Sequence, residues 1–499
     1  MERKGASRRE VVWGMAAGVA GVCLKPVMAL ASEHSIVKAL PRAKPSEVGV
    51  DPKAVLAFIE AVNTTVGGLH SMMLLRHGKV AAEAWWKPFE AGTPHMLYSL
   101  SKSFTSTAVG LAVAEGKLSV EDKVVSFFPD KLPATVSENL AAMRVKDLLT
   151  MSTGHDKEPE RGPTDWVRDF LAAPVEHKPG THFLYNTSAT HILAAIVTKV
   201  TGMRMLDYLK PRLFDPLGIE GMTWEQSPSG IDTGGFGLKV RTEDIAKFGQ
   251  LYLQKGQWEG KQLIPAAWVE EATQKQVSNG DPSQENDWSQ GYGYQFWRSQ
   301  HGNYRGDGAF GQYCLVMPAH DAVLAITSGV SDMGAVLKAV WTHLLPGLKD
   351  GAPSAGEAEL KKALGEQTVP GPVLGEKSSP NAARVSGKTW TIEENPDKVR
   401  SLKLTFRSNG GELETTSANG AQKIPFGYDR FVKGPDGTAA RGLWTAPDRF
   451  TLKVYRLDSP HAAVETYLFN GNDLKVLDRT WSVAFGPRER PELNGKTLA

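Results

Sequence analysis

Only two cysteines stand among the 499 residues, Cys23 and Cys314. Cys23 lies in a segment read below as removable, so the mature chain has no internal disulfide, and a disulfide-stapled scaffold is excluded. Cys314 sits in Gln312-Tyr-Cys-Leu-Val-Met317, a buried strand pattern in which a thiol fills core space and is not a nucleophile. Charge of one sign is also missing. With 57 basic against 55 acidic residues the net charge is +2, which offers no field for nucleic acid or an anionic membrane. The 12 histidines show no paired metal spacing and no His-Glu-x-x-His, and His182 and His191 read as solvated or core groups. No metal and no cofactor is expected. Gly-x-Ser-x-Gly is absent too, so nothing supports the nucleophile elbow of an α/β-hydrolase. Gly306-Asp-Gly-Ala-Phe-Gly311 spells the dinucleotide fingerprint, but that motif must open a helix, and here a strand pattern follows.

A membrane-length apolar run is lacking as well. The apolar stretch from Val11 to Leu24 follows Arg8-Arg9 and ends near Ala29-Leu-Ala31, short of the roughly 20 residues a span needs. It reads as a twin-arginine export signal over 1–31, cleaved after Ala31, with the mature protein periplasmic or secreted and not inserted in the membrane. Val22 before Cys23 disfavours a lipoprotein. At 41% hydrophobic and 22% charged residues, the remainder is an ordinary globular chain with room for more than one domain.

What is present begins at 45. Residues 69–86 read as a hairpin about His77-Gly-Lys79, and helical patterns follow at 139–150, 189–201 and 242–255. Two more strands lie within 310–329, joined by Pro318-Ala-His-Asp321, and a helix from about Met333 to Leu345 closes the unit. Strands at both ends with helices between give an α+β domain over 45–349. A stretch rich in Pro, Gly, Ser and Glu, around one weak helical pattern that starts at Glu357, reads as a linker at 350–385, and short alternating strands with turn residues give a small β-sandwich or barrel over 386–499.

The most informative tetrad is Ser99-Leu-Ser-Lys102. A helix from Ser101 to about Ala114, stopped by Gly116, places Ser99 one turn from Lys102 on one face, where hydroxyl and amine can meet. A serine attacks poorly unless a neighbour takes its proton, and a desolvated lysine can do so. Ser101 also precedes Lys102, but at i,i+1 the two side chains point apart. The small flanking residues suit a helix buried in a core. Tyr185, in Phe183-Leu-Tyr-Asn-Thr187 ahead of a helix, is a second candidate: near a lysine its phenol pKa is expected to fall, making it a proton shuttle. Third, Arg305-Gly-Asp-Gly-Ala-Phe-Gly-Gln-Tyr313 opens a strand whose glycines let a backbone N–H approach a substrate. Asp147 and Glu176 are carboxylates that nothing in the sequence brings together.

In this order, Ser-x-x-Lys, Tyr-Asn-Thr and a glycine-rich strand start, the chain resembles the serine β-lactamase and penicillin-binding-protein superfamily. Within it, the chain is most similar to the class C-like branch of family VIII carboxylesterases, D-aminopeptidases and 6-aminohexanoate-dimer hydrolases. Lys146-Asp-Leu-Leu-Thr-Met-Ser-Thr-Gly154, Ala194–Gly202 with Leu213-Phe-Asp-Pro-Leu-Gly218, and Gly291-Tyr-Gly-Tyr-Gln-Phe-Trp297 support the resemblance over about 45–345. It implies a five-stranded antiparallel sheet with helices on both faces, beside a helical half, with the site in the cleft between. It also implies catalytic Ser99, Lys102 and Tyr185, with Asn186, Gly308, Ala309 and Gln312 around the substrate and the amides of Ser99 and Ala309 on the oxyanion. Two departures stand out. The usual Tyr-x-Asn is Tyr185-Asn186-Thr187, so its carboxamide is either replaced by Thr187 or shifted to Asn186. The usual Lys-Thr-Gly aligns with Gly306-Asp307-Gly308, so the lysine that takes a substrate carboxylate is lost. Arg305 alone could restore that charge, and it is expected to point out of the cleft. The resulting expectation is an exported serine hydrolase that cleaves a small neutral ester or amide through an acyl-serine. The alternatives are a D-amino-acid peptidase or β-lactamase, and a catalytically silent binding protein of the same fold.

Overall fold

The computed structural model describes residues 39–372, 374–483 and 486–497. Arg8, Arg9 and the apolar run behind them lie outside the described residues.

The first sheet forms where the sequence alternates least. Strand β1 (Leu69–Arg76) is buried along its whole length and pairs with β2 (Lys79–Trp85) through a turn in which His77 and Gly78 both take positive φ, 51° and 70°. That backbone matches the right-handed twist of the flanking strands. Four further strands, β3 (Trp297–Arg298), β4 (Tyr304–Gly308), β5 (Gln312–Met317) and β6 (Ala322–Ser328), complete a six-stranded antiparallel sheet in the order β2-β1-β6-β5-β4-β3. The sixth strand is the two-residue β3, one more than the resemblance implies.

Both faces of the sheet are covered, which is why its strands read as apolar runs. On one face Met73, Leu75, Val316 and Val323 join a core with helices α2 (Ser101–Ala114), α3 (Thr187–Thr201) and α4 (Thr242–Leu253). On the other, Met72, Leu74, Leu315 and Leu324 pack against helix α1 (Pro52–Ala61) and helix α5 (Met333–Ala339). Cys314 is buried in the first of these cores. Helix α2 is buried from Ser101 to Ala112, and the Phe104 ring stacks on Phe248 of α4 at 3.9 Å.

Two local readings change. The pattern at 139–150 is two short helices, Glu138–Ala142 and Val145–Leu149. The break falls at Arg144, whose backbone N–H donates to Asp147 Oδ2 at 2.8 Å in a new N-cap. Asp147 is thereby spent on structure. The stretch read as a linker is strapped down: the helix Glu357–Glu366 buries Leu360 in the second core, and Lys87 pairs through its backbone with Gln367 and Val369 at 2.9 and 3.0 Å.

Eleven strands between Thr389 and Lys496 form a second sheet with its own aromatic core of Trp390, Phe426, Trp444, Phe450 and Phe469. Parallel pairing of Phe426 with Ala440 and Gly427 with Arg441 joins strands far apart along the strip and closes it into a barrel.

Candidate active site

Ser99 lies in the 3-10 turn Tyr98–Leu100 that runs into α2, and Lys102 is in the first turn of that helix. Lys102 Nζ is 3.0 Å from Ser99 Oγ, 2.8 Å from the Gly235 carbonyl oxygen and 3.3 Å from Thr187 Oγ1. Ser101, by contrast, turns away and accepts the Leu238 amide at 3.2 Å. Burial pulls the Lys102 ammonium down to about 7; Arg161 adds to the fall, and Glu158 and Asp307 oppose it. A neutral amine has two N–H donors and one lone pair. With the donors on Gly235 O and Thr187 Oγ1, the lone pair is left for the Ser99 hydroxyl.

Tyr185 approaches from the loop before α3. Its ring stacks on Trp297 at 5.2 Å, meets Tyr292 edge-on, and lies 4.9 Å from Lys102 Nζ, with the phenol near enough to Ser99 to feel its hydroxyl. The expected fall of the phenol pKa is not what the surroundings produce. Burial, with help from Asp307 and Glu158, pushes it well above its ordinary value against the opposing Ser99 and Arg305. Tyr185 therefore keeps its proton.

Strand β4 runs close beside the Ser99 turn, and its glycines make that possible. A Cβ on Gly308 would stand 2.0 Å from the Leu97 carbonyl oxygen, and one on Gly306 would stand 2.5 Å from Leu100 Cδ1. The Ala309 amide lies just past the last β4–β5 pair, Gly308 with Gln312.

The family model for Beta-lactamase matches residues 63–342. The chain belongs to the beta-lactamase family. The 6-aminohexanoate-dimer hydrolase of Paenarthrobacter ureafaciens is 27% identical over 290 residues, which is 52% of this chain and 73% of that protein. The Beta-lactamase of Escherichia coli (strain K12) is 23% identical over 192 residues, 34% of this chain and 50% of that protein. The crystal structure of a family VIII carboxylesterase aligns at TM-score 0.47 and 16% identity over 61% of this chain and 99% of that one. The fold is the β-lactamase/transpeptidase-like one followed by an all-β barrel. The family match and the 27% identical hydrolase support a serine hydrolase in general.

Within that family frame, Ser99, Lys102 and Tyr185 meet around one hydroxyl. Gly308 and Ala309 lie beside them, Gly308 through close packing of backbone. Asn186 does not face the site: it is fully buried as the N-cap of α3, its Oδ1 accepting the Ala189 amide at 3.0 Å, and Thr187 takes the place at Lys102. Gln312 is a strut, donating to the carbonyls of Ala309 and Ser328 at 3.1 and 2.7 Å and accepting the Ser328 amide. Arg305 turns away from the Ser99 turn and into packed protein. It is fully buried, with Nε 3.0 Å from Asp307 Oδ2 and Nη1 on Ser299 Oγ and the carbonyls of Asp287 and Arg298, and it lies over the Trp288 ring. A strand start alternating Arg-Gly-Asp-Gly puts the glycines against the Ser99 turn and the charged pair on the other face.

The sequence reading missed Gly235 and Trp297 as neighbours of this site. Thr233-Gly-Gly-Phe236 carries a signal for the first: a Cβ on Gly235 would stand 2.6 Å from Thr187 Cγ2 and 3.4 Å from Lys102 Nζ. His191 is a buried core group on α3. His182 is half-buried. With Asp156 and His177 it forms the one group of possible metal ligands among the described residues, with ligand atoms within 4.8 Å of one another. There His177 Nε2 lies 2.5 Å from Asp156 Oδ1, and the His182 ring stacks on His177 at 4.3 Å. Spacing along the chain carries no hint of it.

Proposed function

We propose that the protein is an exported serine hydrolase that cleaves small neutral esters or amides through an acyl-enzyme. Ser99 Oγ forms a bond to the acyl carbon as its proton passes to Lys102 Nζ, and the carbonyl oxygen becomes an oxyanion held by the amides of Ser99 and Ala309. Collapse breaks the bond to the leaving group, which takes a proton donated by Tyr185 and replaced from Lys102. Water then repeats the sequence on the acyl-serine and releases the acid. The observation that carries this reading is the buried Lys102 amine 3.0 Å from the Ser99 hydroxyl, with the Gly235 carbonyl and the Thr187 hydroxyl placed to take its N–H donors. Export rests on Arg8-Arg9 and the apolar run behind them.

The preference for neutral substrates rests on charge. The only cation on β4, Arg305, is neutralised by Asp307, so a substrate carboxylate entering the cleft meets no free partner there. Leaving such a charge buried and unpaired costs several kcal/mol. Two measurements test the proposal. Ser99→Ala should abolish both hydrolysis of short p-nitrophenyl esters and labelling by a fluorescent phosphonate, and in the parent mass spectrometry should place the adduct on Ser99. A neutral ester should then exceed its carboxylated analogue in kcat/KM. An adduct on another residue overturns the assignment of Ser99, and a preference for the carboxylated analogue overturns the substrate class.

A further inference from the structure

The barrel reaches into this site through one turn, Leu457 to His461, between its strands Arg449–Arg456 and Ala462–Asn470. Asp458 takes the Met96 amide on its carbonyl at 2.9 Å and the Lys239 ammonium on its carboxylate at 2.6 Å. Gly329 gives way to the same turn: a Cβ there would stand 2.7 Å from the Pro460 carbonyl oxygen. His461 then touches the residues that flank both proposed oxyanion amides. Its Nε2 is 2.8 Å from the hydroxyl of Tyr98, the residue before Ser99, and its ring lies edge-on 5.4 Å from Phe310, the residue after Ala309. Tyr98 and Phe310 also contact each other, at 5.6 Å between ring centres.

The direction of these contacts follows from chemistry. His461 Nδ1 is 2.6 Å from the Ser482 carbonyl oxygen, which can only accept, so Nδ1 carries the proton and Nε2 carries the lone pair. The Tyr98 hydroxyl therefore donates to Nε2. Burial lowers the imidazole pKa and raises the Tyr98 phenol to about 12, which keeps both groups in these forms. Trp481 stacks behind the imidazole at 5.6 Å. Tyr98 and Phe310 both adopt positive φ, 48° and 67°, a backbone that residues with a Cβ rarely hold without support.

We propose that His461 of the barrel is a positioning residue for the oxyanion hole: by holding Tyr98 and Phe310 it fixes the backbone that aims the amides of Ser99 and Ala309. This rests on the reading of the site given above. The imidazole rests on the neighbours of both amides. It touches no substrate and exchanges no proton in the reaction.

The test compares His461→Ala, His461→Gln and Tyr98→Phe, alone and with His461→Ala combined with Tyr98→Phe, on a short neutral ester and a fluorescent phosphonate. His461→Ala should lower kcat and the phosphonylation rate by about 10- to 100-fold, the scale of a misaimed oxyanion donor, with KM nearly unchanged. Tyr98→Phe should lower kcat in the same direction, and the double variant should be no worse than His461→Ala, because the hydrogen bond that Tyr98→Phe removes is already lost there. His461→Gln, which can still accept from Tyr98 through Oε1, should recover part of the loss. Retained kcat in His461→Ala, or losses that multiply in the double variant, would overturn the proposal. Should His461→Ala fail to fold, Tyr98→Phe and His461→Gln decide in the same terms. Failure of the underlying reading looks different: phosphonate would then still label Ser99→Ala, whereas every His461 variant should label fully at Ser99, only more slowly.

Discussion

Lys102 is held between two demands at the scale of single residues. Burial favours its neutral form, and the Gly235 carbonyl and Thr187 hydroxyl orient that form toward Ser99. A guanidinium cannot take a proton at workable pH, so Lys102→Arg should lose activity nearly as fully as Lys102→Ala. Steady-state kinetics on a p-nitrophenyl ester decide this, and a Lys102→Arg variant with most of its kcat would mean that the lysine supplies only charge. Tyr185→Phe keeps the stack on Trp297 and removes only the donor, so kcat should fall by about 10²-fold or more, the usual contribution of a positioned proton donor, without loss of fold. The tetrad and the tyrosine were legible in the sequence because their chemistry needs those residue types at that spacing. Asn186 and Gln312 were misplaced because a carboxamide at a helix start or beside a strand end serves a cap or a strut as readily as a ligand. Arg305 was read as the one charge that could restore the lost lysine, and its place over Trp288 and against Asp307 commits it to structure, which no spacing along the chain announces.

Among elements, helix α2 decides the most, since it carries Lys102 and runs through the core between sheet and helices. Gly110 lies where α2 meets Trp268, and an added Cβ would stand 2.5 Å from the indole ring. On propensity alone Gly110→Ala gains about 1 kcal/mol, whereas overpacking a rigid ring costs about 1–3 kcal/mol. The clash should win: thermal unfolding should show a lower Tm, with the kcat of the folded fraction unchanged. A raised Tm would mean that Trp268 moves aside freely. The hairpin β1–β2, the strands β5 and β6 and the helices α3 and α4 were legible from periodicity and turn residues. The continuous pattern at 139–150 hid a break because Arg144 can act as an N-cap through its backbone, with Asp147 closing the box, and neither residue type announces that in a helical run.

On the scale of the whole molecule, the first domain and the barrel meet through the strap that follows the first domain, through the turn that carries His461, and through a shared core in which Tyr455 packs against Phe89 and His70. The strap was read as a tether because Pro, Gly and Ser dominate around it; Leu360 in the core and the backbone pairs at Lys87 make it part of the first domain. Limited proteolysis should therefore spare 357–370, since cleavage there needs local unfolding of packed helix and paired backbone. Rapid cutting inside that stretch, mapped by mass spectrometry, would show a free tether. Closure of the barrel was beyond the sequence, because the parallel pair of Phe426 with Ala440 depends on the curvature of the whole strip.

The pH dependence of the acylation step tests the central claim, that a neutral Lys102 activates Ser99. Its ammonium is lowered from an ordinary 10.5 to about 7, and the neutral form is the active one, so activity rises as the proton leaves. The rate of phosphonylation at Ser99, measured from pH 5.5 to 9, should climb about tenfold per unit below 7 and level off above it. In Lys102→Met that dependence should vanish with most of the rate. A rate that stays flat through pH 7 in the parent, or a climb that persists in Lys102→Met, would contradict the account.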